Sequence, residues 1–524
     1  MKWLRMNLRH IALVCCLAFL LIAKAAAAIE PPSAVARVAW LEAHGDAHIE
    51  SAFARARSEN KPLLLYWGAS WCPPCNQLKA TLFNRQDFIA QSRNFVAVHL
   101  DGDIAGAQRL GKRFNVRGYP TLILFSPEGF EITRLPGEAD APQILNLLQL
   151  GLAGGRPIKQ VLTEARSGQT LSANEWRLLA YYSWETDEQQ LVAQSQLPGL
   201  LQQLAVASTG VEIETTTRLW LKALAASGQR IKPDAALQKR VHSVLKQPSQ
   251  ARAHMDVLIN GAVDIVRAMA PQRGQARSSL LAEFELALKR LQNDNTLSRA
   301  DRISALQARV DLARIDQAKN IVEPIISPAL VAEARQYAWR ADRDIGDGYE
   351  RQAVISSAAY LLGQAGAWED SDGLLKANLS RSPSPYYLMS QLGGNARKQG
   401  NDSEALQWYE SAFRKSEGPA TRLQWGATYF TALVELDPQD VGRIERLVSQ
   451  LFKEAGQDQS AFYERSARSL QKVGTLLSKW SADGRQTAVM GRLRLQLDGI
   501  CGKIDAADKQ RATCDNLIKI RQPV

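Results

Sequence analysis

Residues 63–75 read LLLYWGASWCPPC, and this stretch decides the fold of the N-terminal part of the chain. Its first five residues form a short unbroken apolar run, which is typical of a buried strand. Cys72 and Cys75 follow closely, and apolar residues at helical spacing continue after them. The stretch therefore predicts a buried strand that leads directly into a helix whose first turn carries two cysteines.

A cysteine pair at the start of a helix is a candidate redox site. Free N–H groups and the partial positive charge of a helix N-terminus stabilise a thiolate on the first cysteine. We expect Cys72 to be the exposed nucleophile and Cys75 to resolve the mixed disulfide that forms. Half of a zinc site, which would need two further ligands, and a purely structural disulfide are the alternatives. No cofactor motif stands out elsewhere in the sequence, so we expect neither a metal nor a cofactor.

Helices and strands alternate on both sides of this motif. The predicted order is a leading helix followed by β-α-β-α-β-β-α, which favours an α/β domain whose sheet is covered on both faces. The predicted elements are a helix at 48–60, strands at 63–67, 95–100, 121–125 and 131–135, and helices at 72–83, 105–114 and 141–150.

Three further marks give this domain a family resemblance. Lys61-Pro62 precedes the strand, Trp71 precedes the first cysteine, and Gly118-Tyr119-Pro120-Thr121 begins the third strand. With these marks, residues 46–152 resemble the thioredoxin superfamily, especially its exported bacterial branch. The resemblance implies an α/β thioredoxin fold and thiol–disulfide oxidoreductase activity.

The resemblance also implies roles for residues around the cysteines. Pro120 matches the family's cis-proline and is expected to lie against the Cys72–Cys75 pair. Trp71, Tyr119 and Pro120 are expected to bind substrate, with the backbone of Tyr119 facing an incoming substrate strand. An ordinary proline at the start of a strand is the alternative for Pro120.

Two positions depart from the family pattern. Tyr66 stands where many thioredoxins have a buried carboxylate that accepts a proton, and the lysine that often accompanies it is also missing. The proton acceptor for Cys75 is therefore left unassigned. Pro73 and Pro74 have no N–H to donate to the Cys72 sulfur. We therefore expect a less stabilised thiolate, and a reductant or isomerase rather than a strong oxidant.

The sequence changes character after the thioredoxin-like part. A glycine-rich run at 151–157 marks a boundary, so we predict a linker at 153–165 and an α-helical repeat region at 166–524. The clearest repeats lie at 352–419, where small and large residues recur with the 34-residue period of tetratricopeptide helix pairs. We expect these helices to dock a client protein or a partner.

The first residues of the chain have the pattern of an export signal. A basic segment precedes an apolar run at 11–23, and small residues at 25–28 offer cleavage sites. We predict a signal peptide at 1–28, a linker at 29–45 and a periplasmic location, with an uncleaved membrane anchor as the alternative. The net charge is +11, and no clustered basic and aromatic residues predict nucleic-acid binding.

Two more cysteines lie near the end of the chain, Cys501 and Cys514. An even number of cysteines in an exported protein favours local pairing. We predict a structural disulfide that joins the last two helices. A second redox pair is the alternative, although the spacing lacks the helix-start geometry that activates a thiol.

Together these features predict a periplasmic reductase or isomerase of protein disulfides, regenerated by a membrane or periplasmic electron donor. The main alternative is a non-catalytic scaffold or chaperone-like protein that uses the thioredoxin fold as a platform. A third is an oxidant that introduces disulfides. If both sulfurs were sealed beneath packed side chains, or Pro120 were remote from them, the enzymatic interpretation would fail.

Overall fold

The computed structural model describes residues 37–187, 190–318 and 320–518. The predicted signal peptide at 1–28 and residues 29–36 of the predicted linker lie outside the described residues. From Ala39 onward the described residues form one compact unit. The thioredoxin-like part and the helices that follow are therefore packed together.

The thioredoxin-like part is built on a mixed sheet with the strand order β1-β3-β2-β4-β5. The central strand β2 runs parallel to β3 and antiparallel to β4. All six residues of β2 are buried, which explains why its sequence is an unbroken apolar run. The strands are β1 (Leu41–Glu42), β2 (Leu63–Gly68), β3 (Val96–Asp101), β4 (Thr121–Phe125) and β5 (Glu131–Leu135).

Helices pack on both faces of this sheet. On one face, Leu63, Leu65 and Trp67 share a buried cluster with side chains of α1 (Asp46–Glu59) and α4 (Ala107–Arg113). On the other face, Gly151 of α5 lies so close to Leu124 that a Cβ on the glycine would come within 2.5 Å of that side chain. This arrangement confirms the predicted α/β thioredoxin fold. The helices are α1 (Asp46–Glu59), α2 (Pro73–Thr81), α3 (Gln86–Gln91), α4 (Ala107–Arg113) and α5 (Ala141–Leu152).

The edge strand β1 differs from the sequence prediction, which placed these residues in a linker. Leu41 pairs with Val98 in parallel register. The ring of Trp40 packs against Tyr66 and Phe83. The apolar pair Trp40-Leu41 therefore extends the sheet by one short strand.

The rest of the described chain is helical. The first group comprises α6 (Ile158–Arg166), α7 (Ala173–Ala180), α8 (Leu197–Ala207), α9 (Ile213–Ala226), α10 (Ala235–Lys246), α11 (Pro248–Ala253), α12 (Met255–Asn260), α13 (Ala262–Met269), α14 (Gln275–Gln292) and α15 (Arg299–Ala313). The second group comprises α16 (Pro328–Asp344), α17 (Gly348–Gln364), α18 (Trp368–Asn378), α19 (Pro385–Lys398), α20 (Asp402–Lys415), α21 (Pro419–Leu436), α22 (Val441–Ala455), α23 (Glu464–Trp480), α24 (Thr487–Cys501) and α25 (Lys509–Asp515).

The segment at 153–165, predicted as a linker, also differs, because it contains most of α6. Ile158, Val161 and Leu162 are buried along one face of this helix. Their spacing is that of an amphipathic helix that buries its apolar face. The glycine-rich run before it had suggested a flexible linker instead.

The segment with the clearest predicted repeats forms two successive helix pairs, α17–α18 and α19–α20. Gly366 and Gly400, one in the turn of each pair, both have φ of +79°, a value that favours glycine. Gly393 of α19 lies against the ring of Tyr409 in α20, where a Cβ would be 3.0 Å from the ring. The turns and the close approach fit the predicted period, while the tetratricopeptide assignment stays a prediction.

A buried ion pair lies inside the helical region. The Arg218 guanidinium donates to both carboxylate oxygens of Asp256, at 2.8 and 2.5 Å. Its guanidinium also lies 3.7 Å from the centre of the Tyr181 ring. Burial, together with the positive charge of Arg218, lowers the pKa of the neighbouring His254 to about 3. The folded chain therefore keeps His254 neutral.

This burial makes stability depend on pH. Between its ordinary pKa of 6.5 and the folded value of about 3, His254 binds a proton in the unfolded chain only. Stability should therefore fall as the pH falls below 6.5, by about 1.4 kcal/mol per pH unit from this residue. We expect His254→Gln to show a smaller loss of unfolding free energy between pH 6.5 and pH 5, measured by urea denaturation. The exposed His44→Gln serves as the control, and an unchanged pH slope in His254→Gln would contradict the assignment.

Cys501 at the end of α24 is bonded to Cys514 in α25, and both side chains are buried. The bond joins positions 13 residues apart. Closing a loop of that size lowers the conformational entropy of the unfolded chain, which stabilises the folded chain by about 3 kcal/mol. We expect the double variant Cys501→Ala/Cys514→Ala to unfold at a lower urea concentration. An unchanged midpoint would show that the bond does not stabilise the helical region.

Candidate functional site

The cysteine motif forms the first turn of α2. Cys72 is the N-cap residue, and the Cys75 N–H donates to the Cys72 Sγ at 3.2 Å. The two cysteines are joined by a disulfide with their Cα atoms 5.2 Å apart. Pro73 and Pro74 occupy the first two helical positions and cannot donate. In this turn, the N–H of Cys75 is therefore the backbone group that donates a hydrogen bond to the Cys72 sulfur.

Two of the residues assigned by resemblance, Trp71 and Tyr119, lie beside this turn. The Tyr119–Pro120 peptide is cis, as the resemblance implied. The rings of Trp71 and Tyr119 meet edge to face with their centres 6.1 Å apart. Tyr119 also packs against the apolar cluster that contains Cys72 and Cys75. The structure thus brings the loop before β4 and the redox motif together.

The position of the missing carboxylate is filled by an aromatic ring. The Tyr66 hydroxyl is buried, and the described residues give it no hydrogen-bond partner. Burial, helped by the nearby charge of Asp101, raises the pKa of Tyr66, so its phenol stays protonated. Burial also raises the pKa of Asp101, at the end of β3, and the sequence reasoning had missed this residue. The proton acceptor for Cys75 is still unassigned.

The expectation that Cys72 is exposed is wrong. Its side chain is 2% exposed, and that of Cys75 is 0% exposed. The cover consists of helices from the second half of the chain. The residues that share the buried cluster with Ala69, Trp71 and the two cysteines are Tyr386 and Met389 of α19, Ala412 of α20 and Trp425 of α21. Packing of this apolar face against the redox motif removes both sulfurs from solvent.

A polar contact lies at the edge of this cover and is centred on Asp103, which follows β3. The Trp71 indole N–H donates to Asp103 Oδ2 at 2.6 Å, and the Thr421 hydroxyl donates to the same oxygen at 2.6 Å. Arg465 of α23 donates to Asp103 Oδ1 at 2.9 Å. Its guanidinium also lies 4.8 Å from the centre of the Trp71 ring. No sequence motif indicated this network, because its partners lie more than 300 residues apart.

A cavity of about 410 Å³ adjoins the other side of the motif. Pro73 and Pro74 form part of its wall, and helices of the repeat region, including α15, α17 and α19, form most of the rest. Polar side chains such as Ser304 and Gln307 also line it. The cover over the redox motif is therefore incomplete beside Pro74, which is exposed, whereas Pro73 is buried.

Comparison with known proteins agrees with this geometry. A family model described as a thioredoxin-like domain matches residues 49–151. Residues 49–151 form a thioredoxin-like domain. Thiol:disulfide interchange protein DsbD 2 of Pseudomonas aeruginosa is 34% identical over 114 residues, which cover 21% of this chain and 19% of that protein. Thiol:disulfide interchange protein DsbD of Yersinia pestis is 35% identical over 98 residues, or 18% of this chain and 16% of that protein.

A solution structure from Bacteroides thetaiotaomicron, described as that of a candidate disulphide-isomerase, is 28% identical. It aligns over 24% of this chain and all of its own length, with a TM-score of 0.21. The chain spans less than a fifth of the length of the two curated relatives named above.

Within residues 37–187, 190–318 and 320–518, no helix is both long and apolar enough to cross a membrane. Nor does the described part of the chain hold a group of three or more His, Cys, Asp or Glu side chains placed to bind a metal ion.

Pro74 should lower the redox potential of the cysteine pair. In a capped helix, the N–H groups of the second and third positions reach the N-cap side chain. Pro74→Ala supplies the missing second N–H, which favours the thiolate and hence the reduced form. We expect the potential to rise by about 30–60 mV, the equivalent of one hydrogen bond to a charged group. Titration against glutathione buffers measures the shift, with Pro73→Ala, which changes the first position, as the control.

The same titration tests whether the wild-type chain is a reductant or a strong oxidant. We expect a potential well below the strong-oxidant value of about −120 mV. A value near −120 mV, or equal shifts in the two proline variants, would contradict this account of the motif.

Proposed function

We propose that this chain is a thiol–disulfide oxidoreductase that acts on protein disulfides, with Cys72 as nucleophile and Cys75 as resolving residue. The observation that carries the proposal is the cystine at the first turn of α2, where the Cys75 N–H points at the Cys72 sulfur. The contact of Tyr119 with Trp71 and with the cluster that contains both cysteines supports it. So do relatives of the domain that are named thiol:disulfide interchange proteins.

The proposed reaction exchanges one disulfide for another. In the reduced chain, the Cys72 thiolate attacks one sulfur of a substrate cystine and displaces the other as a thiolate, which takes up a proton. The Cys75 thiolate then attacks Cys72 Sγ, so the substrate leaves as a dithiol and the Cys72–Cys75 disulfide forms. Two electrons have passed to the substrate, and a dithiol electron donor must return the pair to its reduced form.

The finer parts of the proposal concern direction, place and partners. The absence of an N–H at Pro73 and Pro74 favours a reductase or isomerase over a strong oxidant. The predicted export signal at 1–28 favours the periplasm, where a membrane or periplasmic donor would supply electrons. Trp71, Tyr119 and Pro120 are the proposed substrate contacts. The helices after residue 166 are the proposed docking site for a client or partner.

Both sulfurs are sealed beneath packed side chains, which is the condition under which we expected the enzymatic interpretation to fail. This burial favours a second candidate, a non-catalytic scaffold or chaperone-like protein. In that function the Cys72–Cys75 bond would be structural, and the helical face over it would be a permanent interface. The first candidate is stronger because the cover comes from distant helices of the same chain. Within the thioredoxin-like domain, the cysteines keep the geometry of a redox pair.

Trapping of a mixed disulfide separates the two candidates. Cys75→Ser leaves Cys72 without its resolving partner, so a substrate protein should stay covalently bound. We expect Cys75→Ser, expressed with its export signal, to form adducts that dithiothreitol releases in non-reducing gels. The matched control is Cys72→Ser/Cys75→Ser, which should form none. Adducts equally abundant in both variants, or absent from both together with no reduction of insulin by the wild-type chain, would favour the scaffold.

A further inference from the structure

The face that covers the redox pair is built like a binding surface. The aromatic side chains of Tyr386 and Trp425 and the thioether of Met389 share one buried cluster with Cys72. The ring of Tyr387 stacks on that of Trp71, with 6.1 Å between centres and 19° between planes. Aromatic and methionine side chains of this kind are enriched where one protein surface binds another. Here they come from the same chain and occupy the place proposed for substrate.

Polar groups hold this face in register. Asp103 and Arg465 are 11% and 12% exposed, so their ion pair is largely shielded from water. Arg465 also donates to the Thr421 hydroxyl at 2.6 Å, which ties α23 to α21. On another side, the Gln352 amide donates to the Trp71 carbonyl oxygen at 3.2 Å. These bonds are directional, and each is replaceable by water when the surfaces separate.

Attack on a disulfide requires that the substrate sulfur come within about 3–3.5 Å of the attacking sulfur along the bond axis. With Cys72 2% exposed, such an approach is blocked while the helices stay in place. Exchange must therefore proceed from a state in which the face has moved away. The observed rate of exchange then equals the rate of exchange in the open state multiplied by the fraction of chains in that state.

The cover has a gap at which a substrate polypeptide could first bind. The cavity of about 410 Å³ is lined by Pro73 and Pro74 at the start of α2 and by Ser356 and Tyr360 of α17. In the motif, Trp71, Cys72, Pro73 and Cys75 are buried, and Pro74 is exposed. A polypeptide that enters the cavity lies next to the motif before the aromatic contacts are broken.

We propose that the surface formed by α19, α20, α21 and Arg465 is an intramolecular cap that competes with substrate for the redox face. This proposal rests on the proposed function, and it defines the substrate more closely. A polypeptide displaces the cap when it presents apolar or aromatic side chains near its cystine and a basic side chain that replaces Arg465 at Asp103. The cap thereby keeps the pair from exchanging with unrelated thiols.

The experiment weakens the cap without touching the cysteines. Arg465→Gln removes the charge that pairs with Asp103. Thr421→Val removes one hydroxyl with almost no change in shape, and serves if Arg465→Gln fails to fold. The matched control is Arg492→Gln, which breaks an exposed ion pair with Glu445 on helices outside the cap. Circular dichroism and thermal midpoints establish that each variant is folded.

Two rates are measured on the full chain. One is reduction of the Cys72–Cys75 bond by dithiothreitol, followed by alkylation and mass, and the other is turnover of insulin. We expect Arg465→Gln to raise the rate of reduction by about tenfold, as loss of one shielded charged hydrogen bond shifts the opening equilibrium. Thr421→Val should raise it less, and Arg492→Gln should match the wild-type chain.

The outcomes separate the cap from the proposed function. Equal reduction rates in the wild-type chain and in folded Arg465→Gln and Thr421→Val overturn the cap, whether or not insulin is reduced. Faster reduction of the pair in both variants supports the cap. If insulin is still not turned over in those variants, the cap stands while the proposed action on protein disulfides fails.

Discussion

The ion pair between Asp103 and Arg465 ties the redox motif to helices more than 300 residues further along the chain. Asp103 receives the indole N–H of Trp71 on one oxygen and the guanidinium of Arg465 on the other. A carboxylate so placed fixes the ring beside the first cysteine and the helix above it at the same time. Hydrogen bonds between charged groups are strong and directional, so this ion pair adds geometric specificity to the aromatic packing over the cysteines.

Two requirements conflict at this site. A thiol–disulfide exchange needs an accessible sulfur, whereas the apolar surface around a thioredoxin-like redox motif is costly to leave in water. The helical region satisfies the second requirement by covering Trp71, Cys72 and Cys75 with its own aromatic and methionine side chains. Chemistry at Cys72 then depends on how easily the cover is displaced. Stability and reactivity of the redox pair become properties of the interface as well as of the α2 N-terminus.

The fold of the thioredoxin-like domain could be predicted because its signals are local. The apolar run of β2, the cysteines at the start of α2 and the proline before β4 all lie close to the elements they specify. The short strand β1 and helix α6 were missed, since glycine, proline and polar residues nearby suggested linkers. In both cases a few apolar residues, such as Trp40 and Ile158, find partners through tertiary packing.

The burial of Cys72 could not be predicted in the same way. The residues that cover it, among them Met389 and Trp425, have a helical spacing that equally fits an ordinary core between helices. Their local sequence does not indicate whether they pack against other helices or against the redox motif. Arg465 and Asp103 carry no motif, and their pairing exists only once both parts of the chain are folded. Domain order was therefore evident from the sequence, whereas the contact between domains was not.

Alkylation of the reduced wild-type chain by iodoacetamide tests whether the cover over Cys72 opens reversibly in the native chain. The rate of modification at Cys72 is compared with the rate of global unfolding under the same conditions. A reversible cover predicts that Cys72 is modified much faster than the chain unfolds, while the helical circular dichroism is unchanged. Modification of Cys72 at the rate of global unfolding would contradict the account, and would show that the redox pair is a permanent part of the core.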